Sequence, residues 1–268
     1  MIRTIFITGA TDGIGFETAK LLATGGHTLL LHGRSDAKLA TAKLKLSEAN
    51  PNATIETFRA DLSNLPEVAD LAAAVKEKHT KLDVLINNAG VFKTAEPLTD
   101  HGYDVRFIVN TVAPYLLTRL LMEVIPASGR IVNLSSAAQA PVDLDALNGR
   151  KTLSDNEAYA QSKLGITMWS FAMANSLSAN GPLIISVNPG SLLASKMVKE
   201  AYGIPGHDIS VGAEILIRAS LDEEFSMASG RYFDNDSKKF AAPHSDALDV
   251  DKNLALTAAM DKLIAGIH

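Results

Sequence analysis

Short, evenly apolar runs alternate with helix-length segments from the first residues onward, and this alternation restricts the fold more than any other feature of the chain. Ile5–Thr8, Thr28–His32, Thr54–Arg59, Val84–Asn87, Arg130–Leu134 and Leu183–Asn188 read as strands. Each is too short and too continuously apolar for a one-faced surface strand, so the sheet is expected to be covered on both sides. Between them, Gly13–Thr24, Asp36–Asn50, Pro66–Lys78, Gly102–Ile125 and Glu157–Ala179 carry apolar residues at helical spacing. Thr80–Asp83, Pro126–Gly129 and Asn180–Pro182 supply breaks. A helix at Val211–Leu221 precedes a last short strand at Arg231–Phe233. The pattern predicts an α/β doubly wound sheet of about seven mainly parallel strands, flanked by helices on both faces. No linker, repeat or low-complexity stretch interrupts it, so residues 1–268 are expected to form a single domain. Gln139–Asp155 and Ser191–Asp208 fit the alternation less well and read as loops bordering a substrate.

Composition removes whole classes of function. The net charge of −5 and the pI near 5.8 give no general attraction to nucleic acid or to an anionic membrane. The chain has no cysteine, which excludes disulfides, thiolate catalysis and cysteine-ligated metals. Its seven histidines show no metal-ligand spacing, and His27 and His32, flanking one strand, read as structural. Asp234-Asn235-Asp236 opens like a calcium loop but lacks the glycine and distal glutamate of one. No metal is expected. Arg3-Thr4-Ile5-Phe6 enters the first strand without a charged leader, and no apolar run approaches the roughly 20 residues that span a bilayer. The expectation is a cytoplasmic protein with no membrane partner.

The first strand runs into Thr8-Gly9-Ala10-Thr11-Asp12-Gly13-Ile14-Gly15, and a helix follows. Glycines permit a tight turn and close approach of a phosphate, and the helix N-terminus offers unpaired N–H groups to an anion. The second strand ends His32-Gly33-Arg34-Ser35. A carboxylate at this place would bond the ribose hydroxyls of NAD; an arginine suits a 2′-phosphate instead. Ser35 and Lys38 add a hydroxyl and a second charge. NADP(H) is therefore the preferred cofactor, with NAD(H) second.

Tyr159 and Lys163 stand four residues apart on a helical segment and share one face. An ammonium beside a phenol favours the phenolate, which suits a tyrosine that gives and takes protons near neutrality.

Together these residues resemble the short-chain dehydrogenase/reductase family. The motifs occur in family order across nearly the whole chain: Thr8-Gly9-x-x-x-Gly13-x-Gly15, Asp61-Leu62, Asn87-Asn88-Ala89-Gly90, Asn110, Ser135-Ser136, Tyr159-x-x-x-Lys163 and Asn188-Pro189-Gly190. The long interval from Ser136 to Tyr159, and Ser229-Gly230-Arg231-Tyr232-Phe233 with a polar tail, resemble the retinol-dehydrogenase-like branch. The resemblance implies a Rossmann-type fold and an NADP(H)-dependent oxidoreductase acting on a small alcohol, ketone or aldehyde. It implies that Gly9, Thr11, Asp12, Gly13, Ile14, Gly15, Arg34, Ser35, Asp61, Leu62, Asn88, Ala89 and Gly90 bind cofactor, with Asp61 at the adenine amine, and that Asn87, Ala89 and Gly90 pack on the adenosine side and support the central sheet. Pro189 and Gly190 are implied at the nicotinamide, and Lys163 at its ribose. Tyr159 is implied as acid or base, Ser136 as the donor to the substrate oxygen, and Asn110 as holder of a proton-relay water. Dimerisation through Gly102–Ile125 and Glu157–Ala179, as a homodimer or homotetramer, is also implied, although monomers occur in this branch.

The chain departs from its relatives in two places. Without a membrane anchor, a retinoid or membrane-resident substrate is not expected. Where relatives place a threonine after Pro189-Gly190 to bond the nicotinamide, this chain has Ala194, with Ser195 beside it. Met197, Tyr202 and Ile204 give Leu192–His207 the character of a lid, and Asp143, Asp145, Arg150 and Lys151 on the opposite rim read as solvated charges, with contact to a polar substrate as the second reading. A catalytically silent NADP(H)-binding regulator and a sugar-nucleotide epimerase or dehydratase are the alternative readings.

Overall fold

The computed structural model describes residues 1–177, 181–196, 198–199 and 203–266. Its strands are β1 (Thr4–Ile7), β2 (Thr28–Gly33), β3 (Thr54–Arg59), β4 (Val84–Asn87), β5 (Arg130–Leu134), β6 (Leu183–Asn188), β7 (Arg231–Asp234) and β8 (Lys239–Ala241). They form one sheet in the order β3-β2-β1-β4-β5-β6-β7-β8, parallel except for the β7–β8 pair. Side chains alternate between its two faces. Phe6, Leu30, Leu85, Ile131 and Ile184 point into one core, while Ile5, Ile7, Leu29, Leu31, Ile86, Val132 and Ile185 point into the other. Both faces of the central strands β2, β1, β4, β5 and β6 are buried, which is why their sequences are so apolar, whereas the edge strand β3 keeps Thr54 and Arg59 exposed.

The principal helices are α1 (Gly13–Thr24), α2 (Asp36–Ala49), α3 (Leu65–Lys78), α4 (Val105–Val124), α5 (Asp155–Leu177), α6 (Ser210–Leu221) and α7 (Val250–Ala265). Helices α1, α2 and α6 cover one face of the sheet with their side chains; α3, α4, α5 and α7 cover the other. Asp12, Ser35 and Asp249 cap α1, α2 and α7 by accepting backbone N–H groups. The start of α5 is a reciprocal capping box, in which Ser154 N and Oγ donate to Glu157 and Glu157 N donates back to Ser154 Oγ. Helix α4 is long and apolar enough to cross a membrane, but 72% of its most apolar window is buried within the protein.

Three expectations are corrected. There are eight strands rather than seven, because the three-residue β8 folds back on β7. Phe240 is the one large apolar residue of β8, too little for a period to show; it packs on Phe225 and Phe233 beneath the Arg231 guanidinium. The tail after β7 is also more than polar. Leu256, Met260, Leu263 and Ile264 follow helical spacing and bury in the core. Helix α7 thereby packs against α5, and Asp261 meets Tyr115 and Arg119 of α4. The helical surface on which dimerisation is implied is thus partly covered by the chain's own C-terminal helix. Finally, α4 starts at Val105 rather than Gly102, since Gly102 adopts φ 81° and Asp104 takes the capping position. Ala179 and Asn180 lie outside the described residues.

Arg106 is 2% exposed at the start of α4. Its guanidinium donates through Nε and Nη2 to Asp104 at 2.8 and 2.6 Å, and through Nη1 to Asp155, the first residue of α5. One cation therefore aligns the N-termini of both helices. Arg106→Met strands the buried Asp104 carboxylate and is expected to lower stability by about 3–5 kcal/mol in urea unfolding. Asp155 is half-exposed, so Asp155→Asn is expected to cost less.

Candidate active site

Parallel strands deliver their following loops to one edge of the sheet, and the strand order reverses between β1 and β4. A cleft of about 610 Å³ opens there. Its floor is the turn between β1 and α1. Gly9 and Gly13 have φ of 65° and 58°, and a Cβ on Gly15 would stand 2.3 Å from Asn88 Nδ2. Gly15 accordingly packs beneath the turn, while Gly9, Thr11, Asp12, Gly13 and Ile14 line the cleft. The turn is held from β4. Thr8 Oγ1 accepts from Asn88 N and Ala89 N, both at 3.0 Å, and Asn88 Nδ2 donates to the Thr8 and Gly9 carbonyls at 2.8 and 3.1 Å. Thr8 and Asn88 thus join the first and fourth strand ends.

Arg34, Ser35, Lys38, Asp61 and Leu62 line one end of the cleft with Ala89 and Gly90. Ser35 also caps α2, and Asp61 Oδ1 accepts from Ser63 N and Oγ. Asn87 does not line the cleft. It is buried, donating to Thr118 Oγ1 and Asn133 Oδ1, and Asn133 donates on to Ser170. This polar ladder crosses from β4 through β5 to α5, so Asn87 supports the central sheet, as the resemblance implies, and its side chain stays out of the cleft.

Tyr159 and Lys163 line the other end, with Val91, Phe92, Leu134, Ser135 and Pro189. The Phe92 and Tyr159 rings stand 4.7 Å apart. Lys163 Nζ donates to the Leu134 carbonyl at 2.8 Å and lies 5.7 Å from the Tyr159 ring centroid. The Lys163 residue is 4% exposed, and burial lowers its pKa to about 8. A Cβ on Gly90 would be 3.4 Å from both Lys163 Nζ and Asn110 Oδ1, so this glycine leaves the space in which the ammonium and the amide converge. Asn110 sits inside a π-helical turn of α4, Ile108–Val112. Such widened turns leave backbone groups outside the regular ladder and recur at functional sites. The Asn110 side chain is fully engaged: Oδ1 accepts from Val91 N, and Nδ2 donates to Val91 O and Ser162 Oγ. Asn110 does not reach the cleft wall.

The serine pair divides. Ser135 is buried, lines the cleft and spends its hydroxyl on Lys163 O and Thr167 Oγ1. Ser136 Oγ accepts from Ala138 N, and among the described residues its proton meets no acceptor. Ser136 and Gly190 lie just outside the cleft lining.

A family model described as short chain dehydrogenase matches residues 3–203. The chain belongs to the short-chain dehydrogenase family. It is 30% identical to human retinol dehydrogenase 13, over 94% of this chain and 82% of that protein. An uncharacterised protein from Mycobacterium paratuberculosis superposes with a TM-score of 0.81 at 26% identity, covering 98% of this chain and 93% of the other. LugOII, a promiscuous reductase that catalyses keto-reduction at C1 in lugdunomycin biosynthesis, superposes with a TM-score of 0.69 at 26% identity, covering 88% and 96%.

Both loops of this short-chain dehydrogenase that border the cleft are tied to neighbouring elements. In the 139–155 rim, Lys151 pairs with Asp143 and Arg150 with Asp145, each at 2.7 Å. These charges neutralise one another rather than standing free. The rim is tied down by Gln161, whose Oε1 accepts from Asp143 N. In the opposite loop, Ser195 and Lys196 line the cleft and Ala194 does not, its N–H being bonded to His207 O. Met197 and Tyr202 lie outside the described residues.

The roots of that loop are gripped by the turn between β7 and β8. Asp236 accepts from Ser191 N at 2.8 Å, from Ser191 Oγ at 2.6 Å and from Asn188 Nδ2 at 2.9 Å. Asn235 Nδ2 donates to Pro189 O, where the loop leaves β6, and to Val211 O, where it enters α6. Leu192 follows with φ 53°, a conformation that costs a bulky residue energy and persists only where its surroundings enforce it. The acidic triplet that opens like a calcium loop is thus committed to holding backbone. Among the described residues no acidic or histidine cluster has the arrangement of a metal site.

Burial of Lys163 has a measurable sign. Between pH 8 and 10.5 the unfolded chain keeps a proton that the folded chain has released, so folding gains stability as pH rises. Relative to Lys163→Met, wild-type stability in urea unfolding is expected to rise by up to about 3 kcal/mol over that window. A flat difference would mean that the ammonium is not desolvated.

Proposed function

We propose that this oxidoreductase transfers hydride between NADP(H) and a small alcohol or carbonyl compound, with Tyr159 as general acid/base. The observation that carries the reading is the meeting of Tyr159 and Lys163 with the glycine turn and Arg34 in one cleft. The positive-φ glycines leave backbone open to a pyrophosphate, and Arg34 with Lys38 supplies positive charge for a 2′-phosphate. Asp61 and Leu62 would border the adenine, and Lys163, Pro189 and Gly190 the nicotinamide side. A bound nicotinamide supplies or accepts the hydride.

The chain's own residues manage charge and protons. In the reducing direction, negative charge develops on the substrate oxygen, and Ser136 and Tyr159 donate to it. Tyr159 O–H gives up its proton to that oxygen; in the oxidising direction the phenolate takes it back. The Lys163 ammonium, close to the Tyr159 ring, favours the phenolate electrostatically. Val91, Phe92, Leu134 and Pro189 give the reacting centre an apolar wall, and a substrate packed against it would displace water and strengthen the donors. The apolar wall supports an organic ketone or aldehyde as substrate.

Two experiments test this reading. Purified protein with NADPH and a panel of ketones and aldehydes is expected to oxidise NADPH, and Tyr159→Phe to lose about 10²–10⁴-fold in rate with an unchanged melting temperature. Equal turnover by the two proteins defeats the mechanism, and tight NADPH binding without turnover favours a silent regulator. Separately, Arg34→Ala is expected to raise the KM for NADPH by about 10–100-fold while leaving that for NADH within about threefold. An equal change for both cofactors defeats the assignment of Arg34 to the 2′-phosphate.

A further inference from the structure

His32, at the end of β2, is 2% exposed and reaches the ends of both neighbouring strands. Gly9 N donates to Nδ1 at 3.2 Å, and Nε2 lies 3.0 Å from Ala60 O. A ring nitrogen that accepts carries no proton, so the hydrogen is on Nε2 and is given to the Ala60 carbonyl. Gly9 opens the glycine turn, Ala60 precedes Asp61-Leu62, and His32 itself precedes Gly33-Arg34-Ser35. One imidazole therefore ties together three chain segments that line the cleft, each from a different strand. The next residue reinforces the fit, since a Cβ on Gly33 would stand 2.6 Å from Thr11 Cγ2. The turn is seated against β2 by a hydrogen bond at one position and by a missing side chain at the next.

We propose that His32 is a positioning residue of the dinucleotide site, a neutral strut that fixes the glycine turn relative to Arg34 and to Asp61-Leu62. The inference rests on the NADP(H) reading above. A dinucleotide touches all three segments at once, so an error in their mutual spacing is felt as lost affinity. The strut works only when Nδ1 is unprotonated. Burial is the largest influence on the ring and disfavours its charge; the Ala60 carbonyl and Asp61 oppose that effect, and Arg34 adds to it. The outcome is a pKa lowered to about 4. Protonation would set an N–H of Nδ1 against the N–H of Gly9.

The test is NADP⁺ binding by calorimetry to wild type, His32→Asn, His32→Gln and His32→Leu, with melting temperatures measured alongside. An Asn side chain offers its amide oxygen near the place of Nδ1, whereas Gln reaches toward that of Nε2. The expected result at pH 7.5 is affinity within about threefold of wild type for Asn, and weaker by about tenfold or more for Gln and Leu. As pH falls toward 4, wild type is expected to lose affinity relative to Asn, because the imidazole is the titrating group the two proteins do not share; protonation of the 2′-phosphate and of the carboxylates cancels in the ratio. Equal affinities for the Asn and Gln variants overturn the strut. Failure of wild type to bind NADP⁺ overturns the cofactor reading, and the strut with it.

Discussion

A single buried ammonium organises the centre of this molecule. Lys163 Nζ is enclosed with the Leu134 carbonyl as hydrogen-bond acceptor, at a cost visible in its lowered pKa. That position exists only because β5, α5, Gly90 and the π-helical turn of α4 meet there. Their meeting is in turn enforced at several depths. Arg106 locks the two helix starts, Thr111 Oγ1 donates to Ser162 O, and Trp169 Nε1 donates to Thr111 O. A Cβ on Gly165 would be 2.8 Å from Thr111 Cγ2, so α5 and α4 approach more closely than two ordinary side chains allow. The lysine is held by shape as much as by charge.

The same logic runs along the carboxyl edge of the sheet. Each strand end is fastened to its neighbour by a side chain that looks ordinary in isolation: Thr8 and Asn88 between β1 and β4, Asn87 and Asn133 between β4 and β5, Asn188 between β6 and the turn after β7. Buried amides suit this task, because each can donate and accept with fixed geometry and no charge to desolvate. The cleft is consequently a rigid edge on which loops are mounted.

Much of this was legible in the sequence. The first seven strands and six of the seven principal helices follow from the apolar pattern, and the glycine turn, Arg34, Tyr159 and Lys163 sit where their spacing puts them. What escaped did so for physical reasons. The strand β8 is three residues long, below the length at which a period appears. Helix α7 carries its apolar residues at helical spacing, but among enough charges to pass for a polar tail. His32 and the Asp234–Asp236 triplet gain their meaning only from partners 23 to 48 residues away in sequence, which no local pattern reveals. Asn87 supports the central sheet as the resemblance implies, but the direction of its amide, away from the cleft, shows only once the strands are assembled.

The grip of Asn235 on Pro189 and Val211 joins the two ends of the 191–208 loop through one amide. A segment whose ends share an anchor is a cassette. Its interior can lengthen, shorten or change chemistry without transmitting a shift to Pro189-Gly190 or to α6. Under the proposed function, exchanging this one loop would change the walls around a substrate while Tyr159 and Lys163 stay in place.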